Sequence, residues 1–191
     1  MIERSEEIGQ EPVPSHERST FAEKVLRVYR ERVCAKGSDK APLNQENFVV
    51  SVEVNPPAGL NPQKAIAATR MLRAGGVDVI NIADGPRASV RMANWAMASL
   101  IRNELDTEVI LHLCGRDRNL LGIQSDILAF HALGLHNLVV ITGDPPKVGD
   151  YPYATAVFDL DSIGILRMIS GFNRGIDPAG KSVGDVTRFF N

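Results

Sequence analysis

A short β-branched strand, a polar turn and then a helix recur four times along this chain of 191 residues, and that recurrence limits the fold more than any other feature. The first strand, Phe48-Val49-Val50-Ser51-Val52-Glu53-Val54, stops at Asn55-Pro56-Pro57. Residues 61–75 then have helical spacing, with Asn61 as cap, Pro62 in the first turn and glycines at the end. The same order repeats as 77–82 with 88–105, 109–113 with 119–133, and 138–141 with 159–172; Gly134 closes the third helix. Strands this apolar need cover, which predicts a parallel α/β sheet flanked by helices, either doubly wound or a (β/α)8 barrel. A complete barrel takes about 250 residues. The four units here, with 186–191 as the start of a fifth strand, therefore predict a partial barrel of four to five βα units.

Residues 1–18 are charged, rich in Pro and Gly and nearly free of apolar side chains, so they are expected to form a flexible tail. Residues 19–46 read as an N-terminal helix and linker. Ser19 or Thr20 caps the helix, Phe21, Val25, Leu26, Val28 and Tyr29 form its apolar stripe, and 37–47 form the linker. The partial barrel occupies 47–191. Cys34 continues the helix and, with no His or CxxC partner near, reads as a half-buried small hydrophobe.

Composition closes off several classes. With 44% hydrophobic and 23% charged residues the chain is that of a globular protein, and 21 basic against 23 acidic side chains give no global positive field for nucleic acid. Two cysteines are too few for a disulfide framework, which points to a reducing setting. The first ten residues are polar and acidic, unlike a secretory leader, and no apolar run reaches the roughly 20 residues that span a bilayer. A cytoplasmic protein with no membrane or nucleic-acid partner is expected.

Chemistry in parallel α/β folds gathers at the carboxyl ends of the strands. Glu53 lies within the first strand, on the face opposite Val52 and Val54, which would be the lumen of a barrel. A carboxylate desolvated there has a raised pKa and can serve as a general acid; alternatively it accepts backbone hydrogen bonds from the Pro-rich turn. After the second strand comes Asp84-Gly85-Pro86-Arg87, whose Asp84 reads as turn chemistry before ligand binding. The third strand ends at His112-Leu113-Cys114-Gly115-Arg116-Asp117-Arg118-Asn119. A lone His is commonly structural, but the polar loop after it favours function, and no further ligands make a metal site. Asp117 and Asn119 are candidate helix caps, and His131 and His136 read as surface groups or favourable charges at a helix end. The fourth strand runs into Thr142-Gly143-Asp144-Pro145-Pro146 and a long Gly/Pro-rich loop suited to ligand binding. Neither GxxxxGK[ST] nor GxGxxG is present. Met92, Trp95 and Met97 read as helix-packing residues.

Together, Ser51-Val52-Glu53-Val54-Asn55-Pro56-Pro57, the His112–Asn119 segment and Thr142-Gly143-Asp144-Pro145-Pro146 resemble the methylenetetrahydrofolate reductase family over residues 46–191. The likeness is greatest to the reductase part of bifunctional proteins that also carry a homocysteine methyltransferase. It implies a flavin-containing barrel that passes electrons from NAD(P)H through FAD to 5,10-methylenetetrahydrofolate. In that likeness Glu53 matches the acid that protonates the folate ring nitrogen, and Asp144 the carboxylate beside flavin and pterin that stabilises a cationic iminium. His112, Thr142, Gly143 and Phe158 match positions that line the flavin. Ala83-Asp84 departs from the Thr often found there. A partial barrel exposes strand edges, so a homo-oligomer or a completing partner chain is expected. The alternatives are a non-catalytic folate- or flavin-binding subunit, and a pterin enzyme without flavin that uses Glu53 and Asp144.

Overall fold

The computed structural model describes residues 19–34 and 48–191. The expected tail over 1–18 and the linker over 37–47 lie outside these. Four strands form one sheet: β1 (Ser51–Val54), β2 (Val79–Ile82), β3 (Val109–Cys114) and β4 (Asn137–Ile141). All pairs are parallel and the order is β1-β2-β3-β4. A doubly wound sheet reverses direction at a switch point, whereas sequential order belongs to a barrel wall. Of the two architectures open to the sequence, the structure therefore has the barrel type, as an arc of four strands. Phe190 adds a parallel bridge to Asn137, donating to His136 O and accepting from Leu138 N–H, so the expected fifth strand begins beside β4.

Strand alternation sorts the sheet into two faces. Val54, Ile80, Ile82, Val109, Leu111, Leu113 and Leu138 point to the helices and form the core with Ile66, Met97, Ile101, Ile123, Ile127, Phe130, Ile165, Ile169 and Phe172. Each such side chain, once buried, contributes about 1.5–3 kcal/mol before entropy is counted. The opposite, concave face carries Glu53, Asn81, His112, Val139 and Ile141, in the register Glu53↔Asn81↔Ile110 and His112↔Val139.

The helices are α1 (Thr20–Val28), α2 (Gln63–Ala74), α3 (Asn94–Leu105), α4 (Leu120–Ala132) and α5 (Ser162–Phe172). Ser19 caps α1 by accepting from Ala22 N–H, and the helix continues in a π-turn to Cys34. It lies across the amino ends of the strands. Lys24 pairs with Asp78, Phe21 N–H donates to Glu108, and Ser19 Oγ donates to Asn137. Within the expected stripe Phe21 packs edge-on against Phe190, but Tyr29 is exposed, and Cys34, expected half-buried, is exposed too, both lying in the π-turn.

Three helix starts differ from the sequence reading; at α2 the cap position is Pro62, without a side-chain bond, and Asn61 accepts from Gln63 N–H just ahead of the helix. The second helix was expected from residue 88 and begins at Asn94, because Gly85, Arg87 and Ala88 all take positive φ and Met92 N–H is drawn to Pro57 O. Trp95 on that helix is exposed, whereas Met97 is fully buried. The fourth helix starts three residues later than expected: Asp161 is its cap, and Asp159 turns away to accept from Leu120 N–H at the start of α4. Gly134, at φ 69°, closes α4 as expected: Leu135 N–H reaches Phe130 O and Gly134 N–H reaches His131 O.

His131 and His136 were expected at the surface or as helix-end charges. Instead they pack with rings 5.2 Å apart, both against Phe189, and buried nitrogens of each lack hydrogen-bond partners among the described residues. Burial, then the His131 and Arg102 charges, push the His136 pKa below its ordinary value. A folded-state pKa that is lowered means that the unfolded chain takes the proton first. Stability is thus full above the unfolded value, about 6.5, and declines as pH falls through it towards the folded value. The melting temperature should drop between about pH 7.5 and 5.5, and His136→Gln should flatten that slope; an equal slope in both proteins would contradict the assignment.

Candidate functional site

The carboxyl ends of the four strands converge on one rim. Glu53 is on β1, exposed on the concave face. This corrects the desolvation expected of it: no layer faces it among the described residues, and no backbone N–H of the Asn55–Pro57 turn reaches its carboxylate there. His112, two strands away on the same face, is half-buried; burial lowers its pKa, while the charges of Glu53 and Asp84 oppose the shift. These two expected site residues are thus brought within electrostatic reach of each other. Burial thus favours the neutral imidazole, the form that can both donate and accept.

Asp84 is not simple turn chemistry. Its Oδ2 accepts from Cys114 N–H at 3.1 Å and from Arg118 at 2.6 Å, and its Oδ1 takes a second Arg118 nitrogen at 3.3 Å. Arg118 also donates to Asp126 on α4 at 2.7 Å and to Cys114 O. Burial works against the Arg118 charge, but the Asp84 and Asp126 carboxylates outweigh it and hold the pKa above its usual value. Arg116 is 4% exposed, forked onto Asp117 and donating to Gly85 O. The Arg-Asp-Arg-Asn run therefore tethers the β2 and β3 tips to each other and to α4, while Asn119 caps α4 through Gly122 N–H. Asp117, the other cap candidate, is instead the ion-pair partner of Arg116.

Asn94 completes the grip from the helix side. It is 2% exposed, and its amide donates to His112 O at 2.6 Å and to Ile82 O at 3.4 Å. Sequence reasoning missed Asn94, Arg116 and Arg118 as site-building residues. The signal available was a polar side chain at the start of an apolar helix and alternating charge directly after a strand. Cys114 is buried, and desolvation first, then Asp84, pushes its thiol up to about 11, so it is unreactive at neutral pH.

At the β4 end, Gly143 has φ 96°, and a Cβ there would lie 3.1 Å from Cys114 Cβ and 3.3 Å from Arg116 Cβ. Only glycine lets the β4 tip approach the β3 tip this closely. Asp144 follows, exposed, with no hydrogen-bond partner among the described residues. Thr142 is exposed, but its hydroxyl serves the start of α5, accepting from Ser162 N–H at 3.3 Å and donating to Ser162 Oγ at 3.4 Å. Phe158 lies in the loop against the β3 tip, half-buried at φ 47°, its N–H on Gly115 O at 3.3 Å. Such a strained aromatic is held only because the loop is fixed on both sides. Among the described residues no cluster of three or more metal-ligating side chains occurs, and no helix is long and apolar enough to cross a membrane.

A parallel barrel wall whose strand tips carry a carboxylate and a half-buried imidazole on the lumen face belongs to the class of barrel enzymes that work at that rim. The family model of methylenetetrahydrofolate reductase matches residues 39–172, more than half of the chain, and the chain belongs to that family. Membership makes the open sheet a part of a TIM barrel and associates the chain with oxidoreductase chemistry on methylenetetrahydrofolate, in one-carbon metabolism. No curated protein matches the sequence.

Proposed function

We propose that this chain carries the site for FAD-dependent reduction of 5,10-methylenetetrahydrofolate to 5-methyltetrahydrofolate by NAD(P)H, in the cytoplasm, within the unit 47–191. The supporting observation is the shared face of Glu53 and His112 at the strand tips. The residues fit a flavin. Exposed Val139 and Ile141 offer an apolar strip for a flat ring, while His112, paired with Val139, sets a polar group beside it. Asn81 donates to Ser51 Oγ, and its Oδ1 is buried with no partner among the described residues, an acceptor suited to a ring N–H. Bound FAD supplies the hydride chemistry; the protein supplies placement and protons.

His112, Gly143 and the backbone at Thr142 would hold the flavin, with Phe158 bracing the loop behind them. Glu53, desolvated once the concave face is covered, would give its proton to the folate ring nitrogen, opening the five-membered ring. Asp144, exposed and unpaired among the described residues, would stabilise the positive charge that develops on the pterin side. The exposed concave face would be covered by the further strands of a barrel, from this chain or from a second one.

An absorption spectrum of the purified chain, after FAD is added and the excess removed, tests the reading. Retained flavin bands with turnover of methylenetetrahydrofolate are expected. Flavin without turnover would favour a binding subunit, and a colourless protein would overturn the flavin reading.

A further inference from the structure

Most of the contacts that fix the β3 tip come from outside β3. From His112 onward the chain is held at His112 O by Asn94, at Cys114 N–H by Asp84 and at Cys114 O by Arg118. Of these partners only Asp84 also directs a charge at the imidazole. We propose that Asp84, locked by Arg118, is a positioning residue for His112, and so for the flavin edge that His112 would contact; the last step rests on the flavin reading above.

The geometry carries the argument. Asp84 is half-buried at the β2 tip, its side chain 11% exposed, and all of its named contacts lead to β3 or to the loop after it. A carboxylate that only closed its own Asp-Gly-Pro turn would bond back to Gly85–Arg87; instead it crosses to the next strand. Among the described residues the charged groups acting on the imidazole are Glu53 from β1 and Asp84 from the β2 tip, with Arg118 partly neutralising Asp84 through the ion pair. Asp84 therefore sets both where the β3 tip lies and how much negative charge His112 meets. Arg118 is the counterweight in that arrangement.

The two partners should act in opposite directions. Asp84→Asn keeps the size and an acceptor for Cys114 N–H but removes the charge. Arg118→Gln leaves that charge uncompensated. The His112 Cε1–H resonance, identified by its loss in His112→Gln, can be followed by NMR in the flavin-free protein between about pH 5 and 8. Asp84→Asn is expected to move its midpoint down by about half a unit or more, and Arg118→Gln to move it up. In the FAD-loaded protein Asp84→Asn is expected to retain the cofactor about tenfold more weakly. Opposite displacements support the proposal. Displacements of the same sign, or a lowered melting temperature with His112 unmoved in both variants, would overturn it and leave the ion pair a structural staple. If Asp84→Asn does not fold, an upward shift in Arg118→Gln still supports the role and an unchanged midpoint rejects it. A wild-type chain that retains no FAD overturns the flavin reading alone, because the titration is read without cofactor.

Discussion

Replacing Glu53 with Gln is expected to lower methylenetetrahydrofolate turnover by about 10²–10⁴-fold while the chain still retains FAD. The substitution is nearly isosteric, so the β1 tip keeps its shape and only the transferable proton is lost. A structural carboxylate would be bonded into the Asn55–Pro57 turn; Glu53 instead points from the concave face, exposed, and its charge is felt by His112. The measurement is steady-state folate reduction together with the flavin spectrum of the same preparation. Loss of flavin along with turnover would show that Glu53 holds the rim together, and full turnover in the variant would remove it from the reaction.

The largest effect on stability is expected at Gly115. A Cβ there would lie 2.3 Å from Leu160 O, a backbone atom that cannot rotate away. The two segments in contact are also bonded: Val157 N–H donates to Arg116 O, Phe158 N–H to Gly115 O, and Asp159 accepts from Leu120 N–H. Gly115→Ala must therefore push the loop after β4 off the β3 tip and break several of these bonds together. A loss of about 2–3 kcal/mol is expected, a fall in Tm on the order of 5–10 °C. Gly59→Ala, where a Cβ meets nothing within 4 Å, is the matched control and should melt like the wild type. Equal melting of the two variants would show that the close approach is not maintained in solution.

The alternation and spacing of apolar residues were enough to place four strands and their helices, because period 2 and period 3.6 are local properties of the chain. Local chemistry also fixed Gly134 and narrowed two helix caps to Ser19 or Thr20 and Asp117 or Asn119, of which Ser19 and Asn119 have their partners within a few residues. Strand phase alone puts Glu53 on the face away from Val54, and the family is legible in three polar segments at strand ends. What the sequence left open depended on distant partners. Barrel against doubly wound sheet is a matter of strand order, which no single strand encodes. The late start of α3 follows from the pull of Pro57 on Met92 and from backbone strain at Arg87 and Ala88. Asp84 resembled a turn residue because its partners, Cys114 and Arg118, are 30 and 34 positions away. His131 and His136 looked like surface groups until Phe189 closed over them. Burial and charge pairing are summed over neighbours that the fold alone brings together, so only the tertiary structure decided which polar residues build the rim and which are left free to act on it.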